Sequence, residues 1–287
     1  MSKPEISYLP EMDIKPSAVD GLGTVTFTDG VNYDILANQK QCEAYGYTYD
    51  RATGTCRAFN NNPNLVNVFR NNTNKVSGQS NSTAAGTTNS YIIGSENVVN
   101  GDARNNIVVG NQNQITNGID NTMVYGTLGE STANNSIVLG GNAYGDTLGE
   151  RQSITVMFGR TSTTGSNIAS YMNNTTDSYF AVPDNTAIYF HADVIAVRIG
   201  GTSGSGAVGD YASWVERGVI INKSGTATVS RERDAIKSSG TVTNWQPTGI
   251  IVSGTTNFTL RVRGEADTTI EWAATVQMTQ MKTSVAL

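Results

Sequence analysis

Between Asn89 and Gly126 the sequence reads NSYIIGSENVVNGDARNNIVVGNQNQITNGIDNTMVYG, and its glycines and asparagines keep step. Counting by eight from Gly78 gives Gly86, Gly94, Asp102, Gly110, Gly118, Gly126 and Asn134. Three residues after each of the first six comes asparagine, at Asn81, Asn89, Asn97, Asn105, Asn113 and Asn121. A composition-biased coil would not hold that register. The strong apolar triplets, Tyr91-Ile92-Ile93, Ile107-Val108-Val109, Met123-Val124-Tyr125 and Ile137-Val138-Leu139, follow a doubled step, with Val98-Val99 and Ile115 between them. The unit is therefore about 16 residues, shortening to 14 between Gly126 and Gly140, and holds a long strand, a glycine turn, a short strand and a second turn. Such fixed-period self-similarity predicts a β-solenoid.

Each residue type has a physical reason to be there. Glycine accepts positive φ at the corners, and asparagine tolerates the left-handed region and bonds its own turn. Stacked asparagines can also bond one another from rung to rung. At about 4.8 Å per rung, residues 73–159 would make five to six turns spanning roughly 25–30 Å. A coil with two strands per turn is too thin to bury much alone. Ile92, Val108, Val124 and Val138 are thus expected in the core of the coil or of a trimer.

The bulk of the chain sets the limits. Of 287 residues only 15% are charged, net charge is −5, and Lys and Arg form no run, which speaks against a nucleic-acid partner. No stretch approaches the roughly 18–20 apolar residues of a membrane span, and MSKPEISYLPEMDIKPSAVD lacks the apolar core of a signal peptide. The expectation is a chain folded in a cytoplasm without membrane insertion.

The segments NSYIIGSENVV, NNIVVGNQNQI, NTMVYGTLGES and NSIVLGGNAYG resemble the head repeats of trimeric autotransporter adhesins, in which units of about 14 residues build a left-handed parallel β-roll. The resemblance covers residues 73–159 and implies three chains packed around a threefold axis. The steps here are longer, and asparagine replaces the Ser and Ala frequent in that family. The family's signal peptide and membrane barrel are also missing from the sequence. A cytoplasmically assembled fibre with β-roll repeats instead resembles bacteriophage tail-fibre and other virion appendage proteins.

The flanks divide the chain into residues 1–60, 61–175 and 176–287. The first is a small β module, attaching to a particle or capping the first rung. In it, AYGYTY and GTCRAF flank DRATG as hairpin arms that bring Cys42 and Cys56 close. The sequence leaves a disulfide and two reduced buried thiols both open. After the repeats, RTSTTGSNIASYMNNTTDS reads as a linker or a last loose rung. The third holds seven or eight strands and predicts an antiparallel β-sandwich or jelly roll.

Chemistry is sparse. The single histidine, His191, reads as a strand residue. Carboxylate pairs Glu265/Asp267 and Glu216/Asp210 fit a glycosidase scheme only in outline and read as turn residues. GGTSGSGAVG, residues 200–209, lacks the Lys-Ser/Thr ending of a phosphate loop and reads as mobile. Asp102 and Asp120 do not repeat as a calcium motif would. No catalytic residue, cofactor or metal is expected. Among aromatics near turns (Tyr144, Tyr171, Tyr179, Tyr211, Trp214, Trp245), Trp245 in TNWQPTG is the candidate receptor or glycan contact, while Trp214 and Trp272 read as core.

The functional expectation is a non-enzymatic, homotrimeric phage tail fibre, assembled in the host cytoplasm and extracellular after release. Its partners would be other virion proteins and a host-surface receptor or glycan. A trimeric capsid or head decoration protein and a carbohydrate-active depolymerase spike are the alternatives.

Overall fold

The structure, a computed structural model, describes residues 7–20, 23–51, 53–58, 73–141, 145–172, 175–239, 242 and 244–283. The chain divides into two units, Met1–Arg70 and Asn71–Leu287. The expected boundary at residues 60/61 lies outside the described residues.

In the first unit, β1 (Lys15–Val19), β2 (Thr24–Thr28), a short helix α1 (Gln39–Ala44), β3 (Thr48–Asp50) and β4 (Thr55–Arg57) follow in order, and the strands pair as β1-β2-β4-β3. Alternation in TVTFT turns Val25 and Phe27 inward, and Tyr45 and Tyr47 meet the Phe27 ring edge-on. Cys42 sits on α1 and not on a hairpin arm. The Asn38 side chain accepts from the Gln41 amide while the Gln41 side chain accepts from the Asn38 amide, a capping box that starts the helix. From α1, Cys42 is bonded to Cys56 on β4, with Cα atoms 5.5 Å apart. The two half-cystines are two of six buried apolar residues here, with Ile14, Val25, Phe27 and Ala37.

The second unit begins with the solenoid. Its long strands are β5 (Lys75–Gln79), β7 (Tyr91–Ser95), β9 (Ile107–Asn111), β11 (Met123–Thr127) and β13 (Ile137–Gly140). Its short ones are β6 (Ser82–Thr83), β8 (Val98–Val99), β10 (Gln114–Ile115) and β12 (Glu130–Ser131). Each set stacks in parallel, giving about four turns. Strand pairing is offset by 16 residues from Tyr91 to Ile107 to Met123, then by 14 to Ile137. The expected fifth and sixth turns, up to residue 159, do not form. RQSITVMFGRTS has no paired Gly/Asn corners, so it runs straight on as β14 (Arg151–Ser162), antiparallel to β13.

The remaining strands are β15 (Asn167–Ala169), β16 (Tyr171–Met172), β17 (Phe180–Ala181), β18 (Thr186–Gly201), β19 (Tyr211–Lys223), β20 (Thr226–Ser238), β21 (Gln246–Ile251), β22 (Asn257–Arg263) and β23 (Thr268–Lys282). The expected linker thus supplies the end of β14 and two further strands. One large sheet runs β20-β19-β18-β23-β14-β13-β11-β9-β7-β5, so the solenoid's long-strand sheet and the C-terminal sheet are one surface. A boundary at 175/176 would pass through this sheet, between β14 and its partner β23. A smaller sheet of β15, β17, β21 and β22 covers the inner face of the C-terminal half. Phe258 meets Phe158 edge-to-face and lies 4.9 Å from Phe190, while Trp214 stacks on Trp272. Among the described residues the chain is all-β apart from α1.

The solenoid interior explains its spelling. Ile92, Val108, Val124 and Val138 point inward and are fully buried, each contributing about 1.5–3 kcal/mol. The eight-residue step is two interleaved 16-residue columns with different work. Asn81, Asn97 and Asn113 form a buried ladder: Asn97 Nδ2 donates to Asn81 Oδ1 (3.0 Å) and to the Gly110 carbonyl (2.7 Å), and Asn113 repeats this one rung on. Asn89, Asn105 and Asn121 form a second, exposed ladder, each at positive φ. Glycines split likewise. At Gly78, Gly94 and Gly110 an added Cβ would overlap the carbonyl oxygen of the next glycine in the column, and at Gly126 that of Gly140 would be 2.8 Å away. Gly86 and Gly118 alternate with Asp102, itself at φ 56°, and around Gly118 a Cβ would meet nothing within 4 Å. The first column is held by close backbone approach; in the second, a Cβ at Gly86 would meet the Asp102 side chain, while Gly118 is held only by its turn.

Two outcomes follow. Gly110→Ala is expected to cost more than about 3 kcal/mol, whereas Gly118→Ala costs about 1 kcal/mol for a left-handed alanine, a contrast thermal melts would show. Reducing Cys42–Cys56 opens a loop of 14-residue separation, worth about 3 kcal/mol, and unties two of the six buried residues of a small core. Hydrogen exchange in residues 7–58 should rise towards unfolded rates under reductant while that of the second unit stays unchanged.

Candidate functional site

A strand exposes alternate residues, so burial of the middle residue of each triplet turns its neighbours outward. Ile92, Val108, Val124 and Val138 are interior to a single chain and do not face an axis between chains. The residues that do reach the surface are Tyr91 and Ile93, Ile107 and Val109, Met123 and Tyr125, Ile137 and Leu139. Leu139 is 57% exposed and Ile137 50%. These residues were missed as a set because the triplets were read as blocks; period-2 reading of each triplet would have found them.

Register carries this face across the whole large sheet. Tyr91, Ile107, Met123, Ile137, Thr155, Gln277, His191, Arg217 and Glu232 stand in one row across nine strands. The first four are apolar and the last five polar. On the polar half, His191 Nε2 lies 3.3 Å from Asp193 Oδ1, and Arg217 pairs with Asp234 at 3.0 Å. His191 is a half-buried strand residue there. On the far side of the apolar block Lys75 lies over the Tyr91 ring, 5.1 Å from its centre.

The Gly-rich loop 200–209 is built and not slack. Arg198 is buried and donates from Nε to the Gly200 carbonyl, from Nη1 to Ser205 and Gly206, and from Nη2 to Gly201 and Ser203. Five backbone oxygens thus converge on one guanidinium. Glu265 accepts from the amide and hydroxyl of Ser205, and these bonds hold its carboxyl below the usual range. Asp267 accepts from Ser203. Asp210 accepts from the Ala207 amide and the Ser239 hydroxyl, which lower its carboxyl in the same way. Sequence reading took the loop for mobile because its anchor, Arg198, precedes it on a strand.

Glu216 is fully buried. Burial pushes its carboxyl up, against the Gly249 amide (2.7 Å) and the guanidinium groups of Arg231 and Arg233, which pull it down. It stands on β19 six residues from Asp210, about 20 Å of extended strand, so the two are not a working pair. Trp245 is corrected: it is 5% exposed and packs 6.4 Å from Trp272, so it is core and not a receptor contact. Burying the largest apolar ring outweighs the turn signal of the nearby proline. Tyr144 lies outside the described residues. Among the described residues no group of three His, Cys, Asp or Glu side chains could hold a metal ion, and no helix is long and apolar enough to cross a membrane.

Because Glu265 and Asp210 titrate below their ordinary values, their hold on the loop is complete above the normal carboxylate range and is lost as pH falls through the lowered values. Amides 203–207, corrected for intrinsic rates, should exchange faster below about pH 4 and unchanged from pH 6 to 8. Glu265→Gln should show the fast rate at every pH.

No protein-family model and no curated protein matches this chain. Among solved structures it is similar to the tailspike protein of Acinetobacter baumannii phage AM24, with TM-score 0.27 and 8% identity over 73% of this chain and 57% of that one. It is also similar to the tailspike protein of Acinetobacter phage vB_ApiP_P1, with TM-score 0.24 and 9% identity over 72% and 47%. The chain spans about half the length of these proteins. Both superpose too loosely to assign a shared fold, and the functional reading rests on the geometry above.

Proposed function

We propose that this chain is a structural subunit of a phage particle, a homotrimeric tail fibre or tail-associated fibre whose solenoid is the stiff segment. The observation that carries the assembly is the nine-strand row. One face of one sheet changes from Tyr, Ile, Met and Ile to Thr, Gln, His, Arg and Glu where the solenoid ends. The outward triplet positions of the solenoid are apolar throughout. The outward face of the C-terminal half mixes Met157, Tyr189, Ile195 and Val219 with His191, Arg217 and Glu232, so the unbroken apolar block is the part covered by another copy. Four strands at about 4.8 Å make a block roughly 15–20 Å wide, comparable to or larger than the patches monomers leave open.

Resemblance of the repeats to trimeric adhesin heads supports three chains, each laying this block against the next around one axis. The N-terminal unit, with its own disulfide-stapled core, suits attachment to other virion proteins. The C-terminal double layer suits the end that meets the host surface. This reading assigns no turnover to the chain: Glu216, Asp210, Glu265 and Asp267 are each engaged by the fold.

Native mass by light scattering tests it. The wild type should read near three times 30.5 kDa, and a Tyr125→Lys, Ile93→Glu double variant, which alters only outward side chains, should read 30.5 kDa with an unchanged circular dichroism spectrum. A wild-type monomer would end the proposal.

A further inference from the structure

Gly159 lies within the 12-residue strand β14, where glycine weakens pairing relative to alanine. Its φ is not positive, and an added Cβ would meet only the Trp272 carbonyl oxygen, at an ordinary 3.5 Å. Among the described residues nothing requires glycine there. A glycine kept in a strand without internal need marks a place where something from outside comes close.

Around it the sheet is hollowed. Gly159 pairs with Ala273, which pairs with Ile195, so two neighbouring positions of the outward face carry almost no side chain. The result is a groove of about 760 Å³, within the range of small-molecule sites. Tyr171 on β16 closes the end beyond β14, and Ile195 forms the opposite end. Met157 borders the floor on one side, Thr161 and Glu271 on the other. The Tyr171 ring is held in place, with Tyr179 5.6 Å away and the Arg160 guanidinium 4.7 Å from its centre.

We propose that this groove binds a saccharide, neutral or amino-bearing, of about two to three pyranose rings. The apolar face of a pyranose packs on aromatic and aliphatic side chains, here Tyr171, Met157 and Ile195. Its hydroxyl rim needs polar partners, supplied by Thr161, Glu271 and the threonines that follow β16 at 175 and 176. Charge decides the class. Arg160 keeps its positive charge while stacked on Tyr171 and is balanced by Glu271, the carboxylate of the lining. Asp193, one row away, is paired with His191. The groove thus has no net positive charge to draw an acidic sugar, and Glu271 offers a partner to an amine. The groove is complete within one chain and does not rest on the trimer.

The test is retention of labelled full-length protein on a printed array of neutral, amino-bearing and acidic oligosaccharides, bacterial surface polysaccharides included. Wild type should be retained on neutral or amino-bearing spots. Gly159→Leu, which fills the floor from a backbone any residue adopts, should weaken this by about tenfold or more. Ala273→Leu fills the same floor from β23 and serves if the first variant fails to fold. Glu271→Gln should weaken amino-bearing spots most. No retention, retention on acidic spots alone, or retention that both floor variants leave intact overturns the proposal. Light scattering on the same samples reports the assembly separately.

Discussion

The solenoid depends on buried amides finding partners. A coil two strands wide must turn its backbone through four corners in every few tens of residues, and each corner takes peptide groups out of the sheet ladders. Inside, where water cannot serve them, Asn81, Asn97 and Asn113 do: each Asn Oδ1 accepts from the backbone amide one rung on, and each Nδ2 donates to a glycine carbonyl. A buried peptide group left without a partner costs about 1–3 kcal/mol, so one such residue per turn decides whether the turn exists. The column ends where Gly129 donates to Asn113 and brings no side chain of its own. Parallel stacking ends soon after.

From that constraint the rest of the second unit follows. Ladder and glycine column fix the rung spacing, which sets the long strands in register, and register aligns one face across ten strands. β14 then converts a parallel stack into an antiparallel sheet without breaking the surface. Chemistry along that surface can therefore change at a single strand boundary, from an unbroken apolar block to a mixture of apolar and charged side chains.

Much of this was legible because glycine and asparagine have few structural equivalents. Period, strand positions and the 14-residue shortening could be read directly from the letters. The two columns merged into an eight-residue count because Gly94 and Gly118 look alike on paper; only the distance to the next rung separates a glycine that cannot change from one that can. Substitution by Asp102 was the visible hint. Trp245 and the loop after Arg198 were misread for one reason: their settings are made by residues far along the chain, Trp272 and Glu265. Local turn signals carry no information about such partners. The groove at Gly159 was hidden because a lone glycine in a strand gains meaning only beside its neighbour across the sheet.

One consequence concerns length. Between β7 and β11 every rung contacts only copies of itself, while β13–β14 closes one end with a different geometry. Adding or removing a 16-residue turn in that interval alters no contact at either end, yet moves the ends by about 4.8 Å. The distance from the first rung to the C-terminal layers is thus a quantity that duplication can change in equal steps, like links in a chain, with every other part of the molecule left as it is.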